Sequence, residues 1–165
     1  MRKGTFRRWM YRGQRPNWLA RLLNGLTEPF AAAGIGAGSG LVTLEVTGRT
    51  SGRTVALPVV IAHINGQRYL VSMLGENVQW VKNVRAAGGR AVIRSGSRAE
   101  VHLAEVPVDQ RAPILQAYLR RAPGARAHVP LTLDAPLAAF EQIAGAYPVF
   151  RVNAPKLAEA ARASA

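Results

Sequence analysis

From Leu41 onward, apolar and polar residues alternate in short runs, the period of strands with one buried face. Leu41–Thr47 predicts the first strand. Val55–Ile64 and Gln67–Met73 flank Asn65-Gly66, a dipeptide suited to the two positive-φ positions of a type I′ hairpin turn. Arg90–Arg94 and Arg98–Val106 predict a second hairpin around Ser95-Gly96-Ser97, and Tyr147–Val152 predicts a last strand. Between these runs the period changes. Asn77–Ala87 reads as a short helix with Asn77 as its N-cap and Gly88-Gly89 as its stop. Val108–Arg121 reads as a helix opened by Pro107 and Asp109 and ended before Pro123-Gly124. Leu137–Ala144 reads as another, capped by Asp134. Ahead of the strands, Leu19, Leu22, Leu23 and Leu26 follow an i, i+3, i+4, i+7 pattern. They predict an amphipathic helix from Pro16 to about Leu26, with Gly34–Gly40 as a flexible connector behind it.

Six short strands, mostly hairpin-linked and interrupted by helices, predict an α+β, mainly β fold: a small closed antiparallel barrel with flanking helices and an N-terminal amphipathic helix. Tight turns between neighbouring strands exclude a doubly wound parallel sheet. The expected organisation is a basic arm and Gly-rich connector (1–40), a barrel domain (41–153) and an Ala-rich tail (154–165) that reads as a frayed helix or disorder.

Composition narrows the function. A chain of 165 residues fits one domain with a real core. The absence of cysteine removes disulfides, thiolate nucleophiles and thiolate zinc sites, and makes a cytoplasmic setting the default. The net charge of +13, carried almost wholly by Arg, calls for an anionic partner: nucleic acid, an acidic lipid surface or a phosphorylated cofactor. The segment before Glu28 holds seven Arg or Lys and no acid, interleaved with Trp9, Trp18 and the leucines. Residues 2–27 therefore suit contact with an anionic membrane surface, or a lid over the barrel mouth. The basic stretches lack a helix-turn-helix or aromatic-platform pattern, so nucleic acid is not the expected partner. No apolar run is long enough to span a bilayer. Arg12, Arg15 and Arg21 stand where the apolar core of a secretory signal would lie.

Two motif-like features dissolve on inspection. In Gly34-Ile-Gly36-Ala-Gly38-Ser-Gly40 the third glycine of a dinucleotide fingerprint is misplaced, and the run precedes a strand instead of following one. His63, His102 and His128 are widely spaced and lack a nearby carboxylate pair, so no metal site is expected. Thr47-Gly-Arg-Thr-Ser-Gly-Arg-Thr54 is richer. Its glycines let backbone amides converge, Thr50 and Ser51 carry hydroxyls, and Arg49 and Arg53 carry charge, so the turn can cradle an oxyanion. A solvated basic hairpin loop accounts for the same residues equally well. In Asn77–Arg85, Trp80 and Val84 share a helical face, a spacing that fits a core position at least as well as a binding one.

Taken in order, T-G-R-T-S-G-R-T, Leu57-Pro58-Val59, Arg68–Gly75 and Gln79-Trp-Val-Lys-Asn-Val84 form a set that resembles the deazaflavin-dependent nitroreductase family of actinobacteria. The resemblance runs from about Leu41 to Val152 and implies the flavin-type split β-barrel. It also implies binding of coenzyme F-420 and hydride transfer from its reduced form to a small-molecule electron acceptor: a quinone, nitro compound or activated alkene. By this likeness Arg49, Thr50, Ser51, Gly52 and Arg53 match the loop that holds the cofactor's phosphate and oligoglutamate tail. Pro58, Val60, Ser72, Met73, Leu74 and Gly75 match strand edges beside the deazaflavin ring, and Trp80 and Asn83 match the helix that closes over it. The family often carries Lys where Thr50 stands and Arg where Val55 stands, so two phosphate ligands are missing here. Hydride chemistry belongs to the cofactor, which fits a sequence with no acid–base dyad. Tyr118 and Tyr147 are the candidates for a proton donor. The same barrel elsewhere binds FMN, haem-related or lipid ligands, so a non-catalytic binding module is the alternative and FMN the lesser cofactor. Monomer and homodimer both remain open.

Overall fold

The computed structural model describes residues 40–155. The N-terminal helix expected from Pro16 to Leu26, the glycines from Gly34 to Gly38 and the tail beyond Pro155 lie outside the described residues.

Seven strands form one antiparallel sheet: β1 (Leu41–Thr47), β2 (Thr54–Val60), β3 (Ala62–Ile64), β4 (Gln67–Val71), β5 (Arg90–Ser95), β6 (Ser97–Glu105) and β7 (Val149–Asn153). Among the described residues three α-helices accompany them: α1 (Gln79–Ala86), α2 (Arg111–Arg121) and α3 (Leu137–Ile143). The sheet order is β2-β1-β5-β6-β7-β4-β3. Its two edge strands, β2 and β3, are consecutive in the chain and separated by Ile61 alone. A sheet whose opposite edges are joined by one residue must curl. The result is a half-barrel and not the closed barrel expected: among the described residues no ladder joins β2 to β3.

This explains the seventh strand. The run Val55–Ile64 is uninterrupted in sequence but turns a corner at Ile61, whose amide donates to the Gly40 carbonyl at 2.8 Å instead of continuing a ladder. Gly40 is therefore more than a connector. Its φ of +75° and its approach to the Ile61 carbonyl leave no room for a side chain.

Both expected hairpins form. Asn65 (φ 51°) and Gly66 (φ 75°) take the left-handed pair that a type I′ turn needs, and Gly96 (φ 76°) closes the second turn with Ser95 opposite Ser97. Helix α1 ends as its glycines predict: Gly88 enters the left-handed region and the Gly89 amide bonds the Val84 carbonyl at 2.9 Å. The helix starts are corrected. The cap residue of α1 is Val78, not Asn77, and that of α3 is Pro136, not Asp134, and neither start has a side-chain cap bond. The extended backbone of Val78 and Pro136 sets each entry angle without help from a polar side chain.

Alternation sorts the core into two clusters. Val42, Leu44 and Val46 of β1 point into the barrel, where α1 inserts Trp80, Val81 and Val84 against Leu57, Leu70 and Phe150. On the other side, α2 and α3 cover Val60, Tyr69, Val71 and Val149 with Ile114, Leu115, Tyr118, Leu119 and Phe140. Strands β4 and β7 are thus buried on both faces, which is why Tyr69-Leu70-Val71 and Val149-Phe150 read as continuous apolar runs.

Candidate functional site

Helix α1 is the element on which the site is built. Its Trp80 projects into the barrel, buried and 5.5 Å from the Phe150 ring at a 57° tilt. The same indole borders a small apolar cleft between β2, the end of β4 and α2. Pro58, Val60, Ser72, Met73 and Leu74 line it, together with Tyr118. Leu57, Val59 and Val71 complete the walls; they lie within the motif segments but carry no expected site role, because strand alternation alone cannot tell a cleft wall from core. Gly75 does not line the cleft but closes the turn that shapes its lip. Its amide bonds the Ser72 carbonyl at 3.2 Å, and the Ser72 hydroxyl donates to the Gly75 carbonyl at 2.6 Å. At the lip Leu74 is 44 % exposed, unusual for a leucine beside a cavity.

The opposite side of α1 holds the β1–β2 loop. Gly48 accepts from the Gly52 amide at 2.8 Å and donates to the Arg53 carbonyl at 2.8 Å, folding residues 48–53 into a tight turn. The Ser51 hydroxyl oxygen accepts from the Arg53 amide at 3.3 Å. Asn83, buried to 5 % exposure, accepts both the Arg49 amide at 3.2 Å and its Nη1 at 3.0 Å, and Gln79 accepts the same Nη1 at 2.7 Å. Gln79 and Asn83 share a helical face at i, i+4. That spacing and its place at the head of the Gln79–Val84 motif are the sequence signals for Gln79, and neither names Arg49 as the partner. The structure therefore brings Asn83 to the loop and not to the cleft. Arg49 Nε and Nη2, the Arg53 guanidinium and the Thr50 hydroxyl have no hydrogen-bond partner among the described residues.

A family model of F420H(2)-dependent quinone reductases matches residues 31–130. The chain belongs to that family. It is a deazaflavin-dependent oxidoreductase, and the family's cofactor is coenzyme F-420. No curated protein sequence matches. Among solved structures, one described as a domain-swapped dimer aligns at 18 % identity over 82 % of this chain and 97 % of its own, with a TM-score of 0.50. A protein of unknown function from Agrobacterium tumefaciens aligns at 12 % identity over 70 % of this chain and 48 % of its own, also at 0.50. An F420-H2-dependent reductase aligns at 17 % identity over 69 % and 94 %, at 0.47.

The residues present suit such a cofactor at both ends. The loop offers guanidiniums and a hydroxyl to a phosphate-bearing tail, and the cleft offers apolar walls to a ring. The cleft as it stands holds about 40 Å³. Pockets that enclose a whole ligand run to roughly 300–1,000 Å³, well above that volume.

The two candidate tyrosines part company. Tyr118 is buried and lines the cleft, its hydroxyl has no hydrogen-bond partner among the described residues, and burial pushes its phenol well above the usual range. Tyr147 lies away from the cleft and donates its hydroxyl to the His128 carbonyl at 3.0 Å. His63, His102 and His128 are not gathered with carboxylates; among the described residues no group of side chains could hold a metal. No helix among them is long and apolar enough to cross a membrane.

Sequence reasoning missed the ion-pair network behind α1. Arg85 grips Glu105 through Nε (2.9 Å) and Nη2 (2.6 Å) and reaches Glu76 through Nη1 (3.0 Å). Glu105 also accepts from Arg111 Nη2 at 3.0 Å. Arg111 is itself buried, and its Nε donates to the Val106 carbonyl at 2.8 Å. The network ties α1 to β6, to the start of α2 and, through Glu76, to the cleft lip.

Proposed function

We propose that this reductase passes a hydride from reduced coenzyme F-420 to a small organic acceptor such as a quinone, a nitro compound or an activated alkene. The observation that carries the reading is the sharing of α1: one helix presents Trp80 to an apolar cleft and, through Gln79 and Asn83, fixes Arg49 in a basic loop. A ligand with an apolar ring and an anionic tail meets both surfaces along that helix. Arg49 and Arg53 pair with the tail, with Thr50, Ser51 and Gly52 offering hydroxyl and amide donors. Pro58, Val60, Met73 and Trp80 exclude water from the ring, and the Ser72–Gly75 turn sets the lip. The reduced cofactor supplies the hydride, and Tyr118 holds a proton at its phenolic oxygen.

The test is a titration of the purified chain with coenzyme F-420 and with FMN, followed by absorbance and deazaflavin fluorescence. The tail makes coenzyme F-420 the tighter ligand, with affinity falling as salt rises. Equal affinity for the two, independent of salt, would remove Arg49 and Arg53 from binding of the tail.

A second reading concerns residues 2–27, whose seven cations interleaved with Trp and Leu suit an anionic lipid surface. The full chain then sediments with anionic vesicles and a chain lacking residues 2–27 does not, while both bind the cofactor alike. Loss of acceptor turnover on deletion, with no vesicle binding by the full chain, makes the segment a lid.

A further inference from the structure

A second concavity, of about 450 Å³, opens between α2 and strands β3, β4 and β7. Its apolar lining includes Ile64, Tyr69 and Ile114, and its charged lining is Arg120, Arg121 and Arg151, with no acid. The three guanidinium groups make no hydrogen bond or ion pair among the described residues. The ion-paired acids are engaged with other arginines: Glu45 with Arg94 and Arg98, Glu76 with Arg85, Glu105 with Arg85 and Arg111.

The convergence follows from register. Arg151 of β7 stands opposite Tyr69 of β4, and directly paired residues on antiparallel strands share a face. That face is the one α2 covers, so Arg151 is delivered beside the last turn of the helix, where Arg120 and Arg121 lie. Favourable placement at a helix C-terminus accounts for two arginines on α2. It does not account for a third arriving from a strand at the same cavity.

We propose that this cavity binds a small organic ligand bearing two or more oxyanion groups, phosphate or carboxylate. Its charges pair with Arg120, Arg121 and Arg151, and its carbon body rests on Tyr69 and Ile114. Guanidinium forks match both oxyanions in geometry, and a concave apolar floor under a few convergent polar groups is what a small-molecule site requires. The site is separate from the cleft and the loop. The two cavities share no lining residue: Tyr118 of α2 borders the cleft, and Ile114 and Arg121 border this one.

The test is calorimetric titration of the full chain at low salt with pyrophosphate and, separately, with citrate. It is run on the wild type, on Arg121→Gln, on Arg151→Gln and on the loop double variant Arg49→Gln/Arg53→Gln. The expected result is one saturable equivalent that survives the loop substitutions and weakens about tenfold in each of Arg121→Gln and Arg151→Gln. The tighter of the two probes names the oxyanion. Thermal melts check that both variants, at exposed positions, keep the fold. No saturable binding of either probe, or binding lost in the loop variant and unmoved in the other two, overturns the proposal.

Discussion

Arg49 is held by Asn83 twice, through its amide at 3.2 Å and its guanidinium at 3.0 Å, so one buried carboxamide oxygen sets both the backbone and the side chain of the loop. Binding energy that would otherwise order the loop is then available to the ligand. Asn83→Ala removes both bonds and is expected to weaken coenzyme F-420 by about tenfold, with a loss of stability of roughly 1–2 kcal/mol. Gln79→Ala removes only the 2.7 Å bond to Nη1 at an exposed site and should cost less on both counts. Fluorescence titration alongside thermal melts checks the order. Cofactor affinity unchanged in Asn83→Ala would mean that the loop does not meet the ligand.

Glu105 gives the fold an acid-sensitive clasp. The Arg85 hydrogen bonds hold its carboxyl below the usual carboxylate range; burial opposes them, and Arg111 adds to the effect. The folded-state value lies below the unfolded one, so the stabilisation is complete above the ordinary Glu value near 4.3 and is lost as pH falls through the folded value. Glu105→Gln should cost on the order of 1–3 kcal/mol at pH 7, leaving Arg111 buried with carbonyl partners only. Melts from pH 7 to pH 3 should show the wild type and the variant converging at the acid end. A gap that stays constant with pH would assign the loss to packing instead.

The paired glycines after α1 separate two causes of intolerance. Gly88 has φ +63° and open space where a methyl group would stand, so Gly88→Ala meets only the left-handed penalty of roughly 1–2 kcal/mol. Gly89 has φ +81°, and a Cβ there would stand 2.5 Å from the Leu103 carbonyl oxygen, the atom next to the ladder by which β6 holds the helix end. Gly89→Ala should therefore cost about 1–3 kcal/mol more than Gly88→Ala. Urea melts of the two variants give the difference directly.

The parts of the fold that were legible in the sequence are those fixed by neighbours in the chain. Asn65-Gly66 and Gly96 announce their turns because few residues accept their backbone angles, and Gly88-Gly89 announce the end of α1 for the same reason. The break at Ile61 was hidden because Val55–Ile64 is apolar throughout and the corner is made by the carbonyl of Gly40, at the far end of β1. The caps misled because Asn77 and Asp134 lie close to helix starts that extended Val78 and Pro136 already define. In the site, the basic loop showed as a motif but its anchor did not. Gln79 and Asn83 are visible as a pair on one helix face, while their partner Arg49 arrives from another hairpin. Burial of Arg111 was illegible for a similar reason: the carbonyls and carboxylate that receive it come from β6 and from the segment after α3.

Of the two candidate proton donors, Tyr118 is the one at the cleft. It borders the cleft with Ser72 and Trp80, and its hydroxyl has no hydrogen-bond partner among the described residues. Burial raises its phenol well above the usual range, so the proton stays on the oxygen through neutral and mildly alkaline pH. Such a group is a poor acid in free solution but a good hydrogen-bond donor to an acceptor oxygen that gains charge as hydride arrives. Tyr118→Phe keeps the ring and its packing in the core cluster, so thermal stability and coenzyme F-420 affinity should change little. Turnover of a quinone acceptor should fall about tenfold or more, in kcat rather than in KM. Because the phenol does not titrate in the working range, the pH profile should keep its shape and shift only in height. A variant with wild-type kcat would remove Tyr118 from the reaction, and a new ionisation appearing in the profile would show that another group, not this phenol, supplies the proton.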